Sequence, residues 1–160
     1  MKVVCNQNKM DKEYEVLVLF KPEGQKDIYD EDYYATESGY YYNVRDDEHV
    51  YDITIGKEYE VYGIMIFEGK IRYLVICDNT LTPNWITNDM FEIKDNRLPY
   101  NWCCNKFVSN NIEGTIIGYK ELSNNYQHLL GLMSRKPDDM KIFLEEKDNT
   151  EYFSIINTET

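Results

Sequence analysis

Apolar and polar residues alternate with a period of two over much of the chain up to Tyr119, and a helical period takes over near Ser123. The sharpest alternation lies in residues 57–78. Tyr59, Val61, Gly63, Met65 and Phe67 share one face, and Glu60, Tyr62, Ile64 and Ile66 the other. Glu68-Gly69 supplies a tight connection, after which Ile71, Tyr73, Val75 and Cys77 alternate with Arg72, Leu74 and Ile76. The pattern predicts a β-hairpin that is apolar on both faces, with Gly63 as a candidate bulge. The run Tyr14, Val16–Phe20, stopped by Pro22-Glu23-Gly24, predicts a buried strand over 13–21. Shorter strands are expected at 40–44, 50–55, 85–86, 90–93, 101–108 and 114–119. Residues 1–12, polar apart from Val3-Val4, read as a mobile or edge segment.

In the last third Tyr126, Leu129, Leu130 and Met133 fall at i, i+3, i+4 and i+7, with Ser123 as the expected cap. Gly131 weakens that helix. Pro137 opens a second helix, with Asp138 and Asp139 at its positive end and Met140, Phe143 and Leu144 as its apolar stripe. Asp148-Asn149 stops it. Phe67, Tyr73, Val75, Trp85, Phe91, Leu129 and Phe143 are the expected core. The fold class is therefore α+β and mainly β: a curled antiparallel sheet or small barrel with two C-terminal helices. One domain is expected over 1–160, mostly β in 13–119 and helical in 123–147.

Charge changes the picture. The chain has 160 residues, with 17 basic and 29 acidic side chains, so 17 − 29 = −12. Phosphate binding draws on Lys and Arg, so nucleic acid and anionic membrane are disfavoured as partners. Without a membrane-length apolar run or a signal-peptide pattern, a soluble, cytosolic protein is the expectation. The charge is concentrated. Residues 27–52 hold nine acids against Arg45 alone, and seven of the fifteen tyrosines. A disordered acidic run is poor in aromatics, whereas tyrosine suits a half-wet contact surface. Acids to attract and tyrosines to anchor make a candidate partner-binding face of Asp30, Glu31, Asp32, Tyr33, Tyr34, Tyr40, Tyr41, Tyr42, Asp46, Asp47 and Glu48. The bland alternative is a solvated, solubilising loop.

Candidate chemistry is sparse. Cys5, Cys77, Cys103 and Cys104 lack the Cys-x-x-Cys spacing of a zinc site, so thiols without a metal are expected. Adjacent Cys103-Cys104 admits a vicinal disulfide only as a strained ring. His49 sits among acids, and His128 is expected on a helix surface, turned away from Leu129 and Leu130. A Cys103–His128 nucleophilic pair is no more than any chain with these residue types allows. Neither phosphate-cradling glycine loop is present. No catalytic residue, metal or cofactor is assigned, and the chain reads as a non-enzyme.

Gly56-Lys57-Glu58-Tyr59-Glu60-Val61-Tyr62, then Tyr73–Asp78, then Trp85-Ile86 and Met90-Phe91-Glu92-Ile93, resemble the strand pattern of SH3-like barrels in small bacterial proteins. That resemblance covers about a quarter of the chain and implies architecture. As a type, a small, acidic, motif-poor chain also resembles the immunity proteins of polymorphic or contact-dependent toxin systems. That likeness implies a cytosolic protein that binds a cognate toxin domain, typically a basic nuclease, and blocks it. The other class of function is an SH3-like adaptor, with Tyr40–Tyr42 and Trp85 lining a groove for a basic peptide.

Overall fold

A computed structural model describes residues 1–10, 33–36, 39–42, 49–109 and 111–150. The architecture is mainly antiparallel β with three helices. A five-stranded sheet has the order β11 (Cys103–Ser109), β12 (Ile112–Gly118), β7 (Gly63–Phe67), β8 (Lys70–Ile76) and β9 (Pro83–Thr87). A three-stranded sheet sets β1 (Lys2–Cys5) between β10 (Phe91–Asp95) and β6 (Glu58–Glu60). Two small pairs complete the strands among the described residues: β2 (Lys9–Met10) with β5 (His49–Val50), and β3 (Tyr33–Thr36) with β4 (Gly39–Tyr42). Both larger sheets are open, so the curled sheet describes the molecule better than a closed barrel does. The strand expected over 13–21 lies outside the described residues.

The hairpin β7–β8 forms as its alternation requires, with Ile66 paired to Ile71 and Gly63 to Leu74. Glu68 and Gly69 both have positive φ, as the twist-matched two-residue turn demands. The preceding strand is not continuous, however. At Val61-Tyr62 the chain leaves the smaller sheet and enters the larger one, so Tyr59 and Met65 belong to different sheets. Gly63 marks that switch. A Cβ there would lie 2.6 Å from Leu122 Cδ2 and 3.2 Å from Trp85 Cη2, so close packing explains this glycine without a bulge.

Alternation on the larger sheet feeds two cores. Met65, Phe67, Leu74 and Ile116 face the helices and meet Leu122, Leu129, Leu132 and Phe143. Tyr73, Val75 and Ile86 face the smaller sheet and meet Val3, Cys5, Tyr59 and Phe91. Of the expected core, Trp85 alone is only half-buried. The N-terminal segment also departs from expectation. β1 is the central strand of its sheet, and Met1, Val3 and Cys5 are buried. Met-Lys-Val-Val-Cys carries a period-two pattern too short to stand out against the polar residues that follow.

Three helices follow β12: α1 (Lys120–Asn124), α2 (Tyr126–Met133) and α3 (Pro137–Asp148). Ser123 lies within α1, and its hydroxyl donates to the Tyr119 carbonyl at 3.1 Å. The cap of α2 is Asn125, whose Oδ1 accepts from the Gln127 and His128 amides at 3.0 and 3.3 Å. Pro137 opens α3 as the sequence predicts. Among the described residues no helix is long and apolar enough to cross a membrane.

Candidate functional site

The tyrosine-rich stretch enters the fold as a hairpin. Backbone pairing sets Tyr33 opposite Tyr42, Tyr34 opposite Tyr41 and Ala35 opposite Tyr40. Five expected contact residues are thereby gathered into one two-stranded unit. Asp30, Glu31, Asp32, Asp46, Asp47 and Glu48 lie outside the described residues.

Where the acidic stretch ends, at Asp52, the structure builds a second feature. The turn at 51–57 and the turn at 77–82 are stitched together by two carboxylates. The Asp52 side chain accepts from the Asn79 amide at 3.0 and 3.1 Å, from the Thr80 amide at 3.0 Å and from Asn79 Nδ2 at 2.5 Å. Its own carbonyl accepts from the Asp78 amide at 3.1 Å. Asp78 answers in the other direction. Its carboxylate accepts from Thr54 Oγ1 at 2.7 Å and the Tyr59 hydroxyl at 2.5 Å, and pairs with the Lys57 ammonium. The Thr54 amide donates to the same Tyr59 oxygen at 2.6 Å.

The charges follow from these bonds. Partial burial alone would raise the pKa of Asp52, but the bonds from Thr80 and Asn79 outweigh it and hold the carboxyl below its usual range. For Asp78, burial is again outweighed, here by Lys57, Tyr59 and Thr54. Tyr59 is pushed up to about 12, first by burial and then by its bond to Asp78. Both carboxylates are therefore ionised at neutral pH, with the charge of Asp78 offset by the Lys57 ammonium.

These turns carry apolar side chains outward. Leu81 is 72% exposed and Ile55 is 59% exposed, and Val50 stands exposed just before the first turn. Leu81 also has φ +53, a left-handed conformation unfavourable for leucine. The turn keeps it there: the Cys77 amide donates to the Thr82 carbonyl at 3.0 Å, and Asp52 pins Asn79 and Thr80. Sequence reasoning missed Leu81, Ile55 and Asp78. The available signal was a lone leucine inside Asp-Asn-Thr-Leu-Thr-Pro, where every neighbour is a turn former.

His128 overturns its expected place. It is 1% exposed, because α2 is enclosed and residues 128–133 are all buried. Its Nε2 lies 2.7 Å from the Tyr119 hydroxyl and its Nδ1 lies 2.7 Å from Asp139 Oδ1. Burial, with nearby Glu146, Asp139 and Glu121, drives the Tyr119 pKa far upward, so the phenol stays protonated. An Nδ1–H donated to Asp139 and an Nε2 accepting from Tyr119 satisfy every group in the chain. Both ring nitrogens are thus occupied by the protein's own groups. Gly131, expected to weaken α2, makes room for this. A Cβ there would stand 1.8 Å from Asp139 Oδ2.

The four cysteines are free thiols. Cys5 and Cys77 are buried, and burial raises both, Cys77 to about 11. Cys103 and Cys104 are consecutive in β11, so they point to opposite faces of the sheet, away from disulfide geometry. Among the described residues no group of three or more His, Cys, Asp or Glu is placed to hold a metal ion. Comparison with protein-family models, curated proteins and solved structures finds no match for this chain.

Proposed function

We propose that the protein is a binding protein that neutralises a cognate toxin domain by direct complex formation, and that the toxin surface it meets is basic. The observation that carries this reading is the braced loop pair. Leu81 is strained and 72% exposed on a turn that begins at Asp78 and is bonded to Asp52, the last acid of a stretch with nine acids and one base. Apolar anchors within an acidic field are the complement of a nuclease surface, which must be basic to hold phosphate. The acids at 30–32 and 46–48 supply long-range steering, the 33–42 hairpin and the loop pair supply contact.

The test uses the purified chain and the product of the gene adjacent to its own. Replacing Asp30, Glu31, Asp32, Asp46, Asp47 and Glu48 by Asn or Gln slows association and flattens its salt dependence. Replacing Leu81 by Asn mainly speeds dissociation. A neutralised variant that associates at an unchanged rate at low salt and still protects cells removes the acidic face from the mechanism. A chain that binds no adjacent toxin defeats the reading as a whole.

A further inference from the structure

The charges of the braced loop pair are committed within the protein. Residues 51–57 and 77–82 hold one base, Lys57, against two acids, Asp52 and Asp78. Asp52 takes three donors, the Asn79 and Thr80 amides and Asn79 Nδ2, on the about four lone-pair sites that a carboxylate offers. Asp78 takes Thr54, Tyr59 and Lys57, and its side chain is only 16% exposed. Little capacity is left for a bidentate bond to an incoming guanidinium.

What the pair leaves outside is aliphatic. Ile55 is the second residue of a turn closed by the Lys57 amide on the Thr54 carbonyl at 3.1 Å, and Gly56 supplies the φ of +82 at its third position. The Gly56 amide and the Lys57 carbonyl are both bonded to Cys5, in the central strand β1, at 2.8 and 3.0 Å. Leu81 stands between Thr80, whose amide is held by Asp52, and Thr82, whose carbonyl accepts from Cys77. The Thr82 hydroxyl donates to Thr80 Oγ1 at 3.0 Å. Each exposed residue thus sits one position from a bond that joins the turns, Thr54 to Asp78 and Thr80 to Asp52. The backbone that carries both is fixed before any partner arrives, so contact has little left to order.

We infer that Ile55 and Leu81 are a pre-organised pair of anchors for an apolar patch of the partner domain, and that Asp52 is their positioning residue, not a charge the partner reads. The inference rests on the toxin reading and deepens it. Aliphatic side chains with no polar tip gain only from apolar surface, and the carboxylates behind them are already bonded. The patch therefore lies apart from the basic, phosphate-holding surface that faces the acids at 30–32 and 46–48. Steering and anchoring then fall on different parts of the partner. Salt screens the first and leaves the second.

The test measures how fast the product of the adjacent gene dissociates from the full chain at low and at high salt. Leu81→Asn is expected to speed dissociation about thirtyfold and Ile55→Asn about tenfold, each by the same factor at both salts. Asp52→Ala is expected to speed it about tenfold. Asp52→Asn keeps an acceptor for the Thr80 amide and removes the charge, so it stays within about threefold of the wild type. In the wild-type complex amide exchange is expected to slow at Ile55 and Leu81, a readout that does not depend on any variant folding. A Leu81→Asn penalty that fades at high salt, equal dissociation of Asp52→Asn and Asp52→Ala, or unchanged exchange at Ile55 and Leu81 overturns the inference and leaves the toxin reading standing. The absence of any complex overturns both.

Discussion

Two carboxylate networks in this molecule use the same bonds for opposite ends. Asp139 reaches inward to His128, which reaches Tyr119, and the chain ties α3 to α2 and to the end of β12 under an almost complete cover. Asp52 and Asp78 sit at a surface, brace two turns against each other, and leave Leu81 and Ile55 outside. In the first network a lost bond strands a polar group away from water. In the second, water replaces what is lost. Stability should therefore be sensitive to the inner network and recognition to the outer one.

That contrast is open to measurement. The largest effect is expected beside the inner network. Phe143→Ala empties a fully buried site against Tyr62 and should cost about 3–5 kcal/mol in denaturant unfolding. A value within about 0.5 kcal/mol of zero would mean that α3 is not part of the core. Next, Asp139→Ala removes the acceptor of a buried Nδ1–H and should cost about 1–3 kcal/mol. Gly131→Ala, which drives a methyl into Asp139, should cost about 1–3 kcal/mol by overpacking. If both single variants matter, their double variant should fall short of the sum, because both act on the same carboxylate.

The outer network should respond to pH instead. Asp52 and Asp78 have depressed pKa values, so their contribution is present above the ordinary carboxylate range and lost as pH falls through and below about 4. Tyr59 works the other way. Its pKa rises from 10.0 to about 12, so its contribution is complete below pH 10 and lost as pH climbs toward 12. Amide protection at Asn79 and Thr80, taken relative to the intrinsic exchange rate at each pH, reads the acid limb, and ultraviolet titration of the phenols reads the alkaline one. Protection unchanged between neutral and acid pH would show that Asp52 braces nothing. The smallest effect on stability is expected for Leu81→Asn, within about 0.5 kcal/mol, since Asn tolerates the left-handed backbone and no buried contact is lost. The same change should weaken toxin binding by about 2 kcal/mol if Leu81 is an anchor. A large loss of stability with unchanged binding would reverse the assignment of the two networks.

How legible all this was in sequence depends on how local the cause is. The hairpin β7–β8 rests on alternation and a Glu-Gly turn a few residues apart, and the sequence shows both. The helices beginning at Tyr126 and Pro137 rest on spacing and on a proline, and are equally plain. The division of the alternating run at Val61-Tyr62 is not visible, because both halves keep the same period and only Leu122, far along the chain, requires Gly63. His128 was misplaced for the same reason. Its helix stripe suggested an outward face, and nothing near it in sequence announces that Asp139 and Tyr119 enclose it. At the candidate site the acidic tyrosine stretch was visible as composition. Leu81 was hidden, since a single apolar residue in a polar loop has no period.

The position of β1 also bears on how the molecule assembles. Val3 lies in register between Tyr59 and Ile93, so both neighbours of the first strand lie far along the chain. A strand with no local partner forms its ladder only after long loops have closed, which slows folding at fixed stability. Until then Val3, Cys5 and the faces of Tyr73 and Val75 that they cover remain open to water. The core between the sheets is thus expected to close late, behind the hairpin β7–β8, whose contacts are local. Mutations at Val3 should then speed unfolding and leave the folding rate almost unchanged, whereas mutations within β7–β8 should slow folding itself.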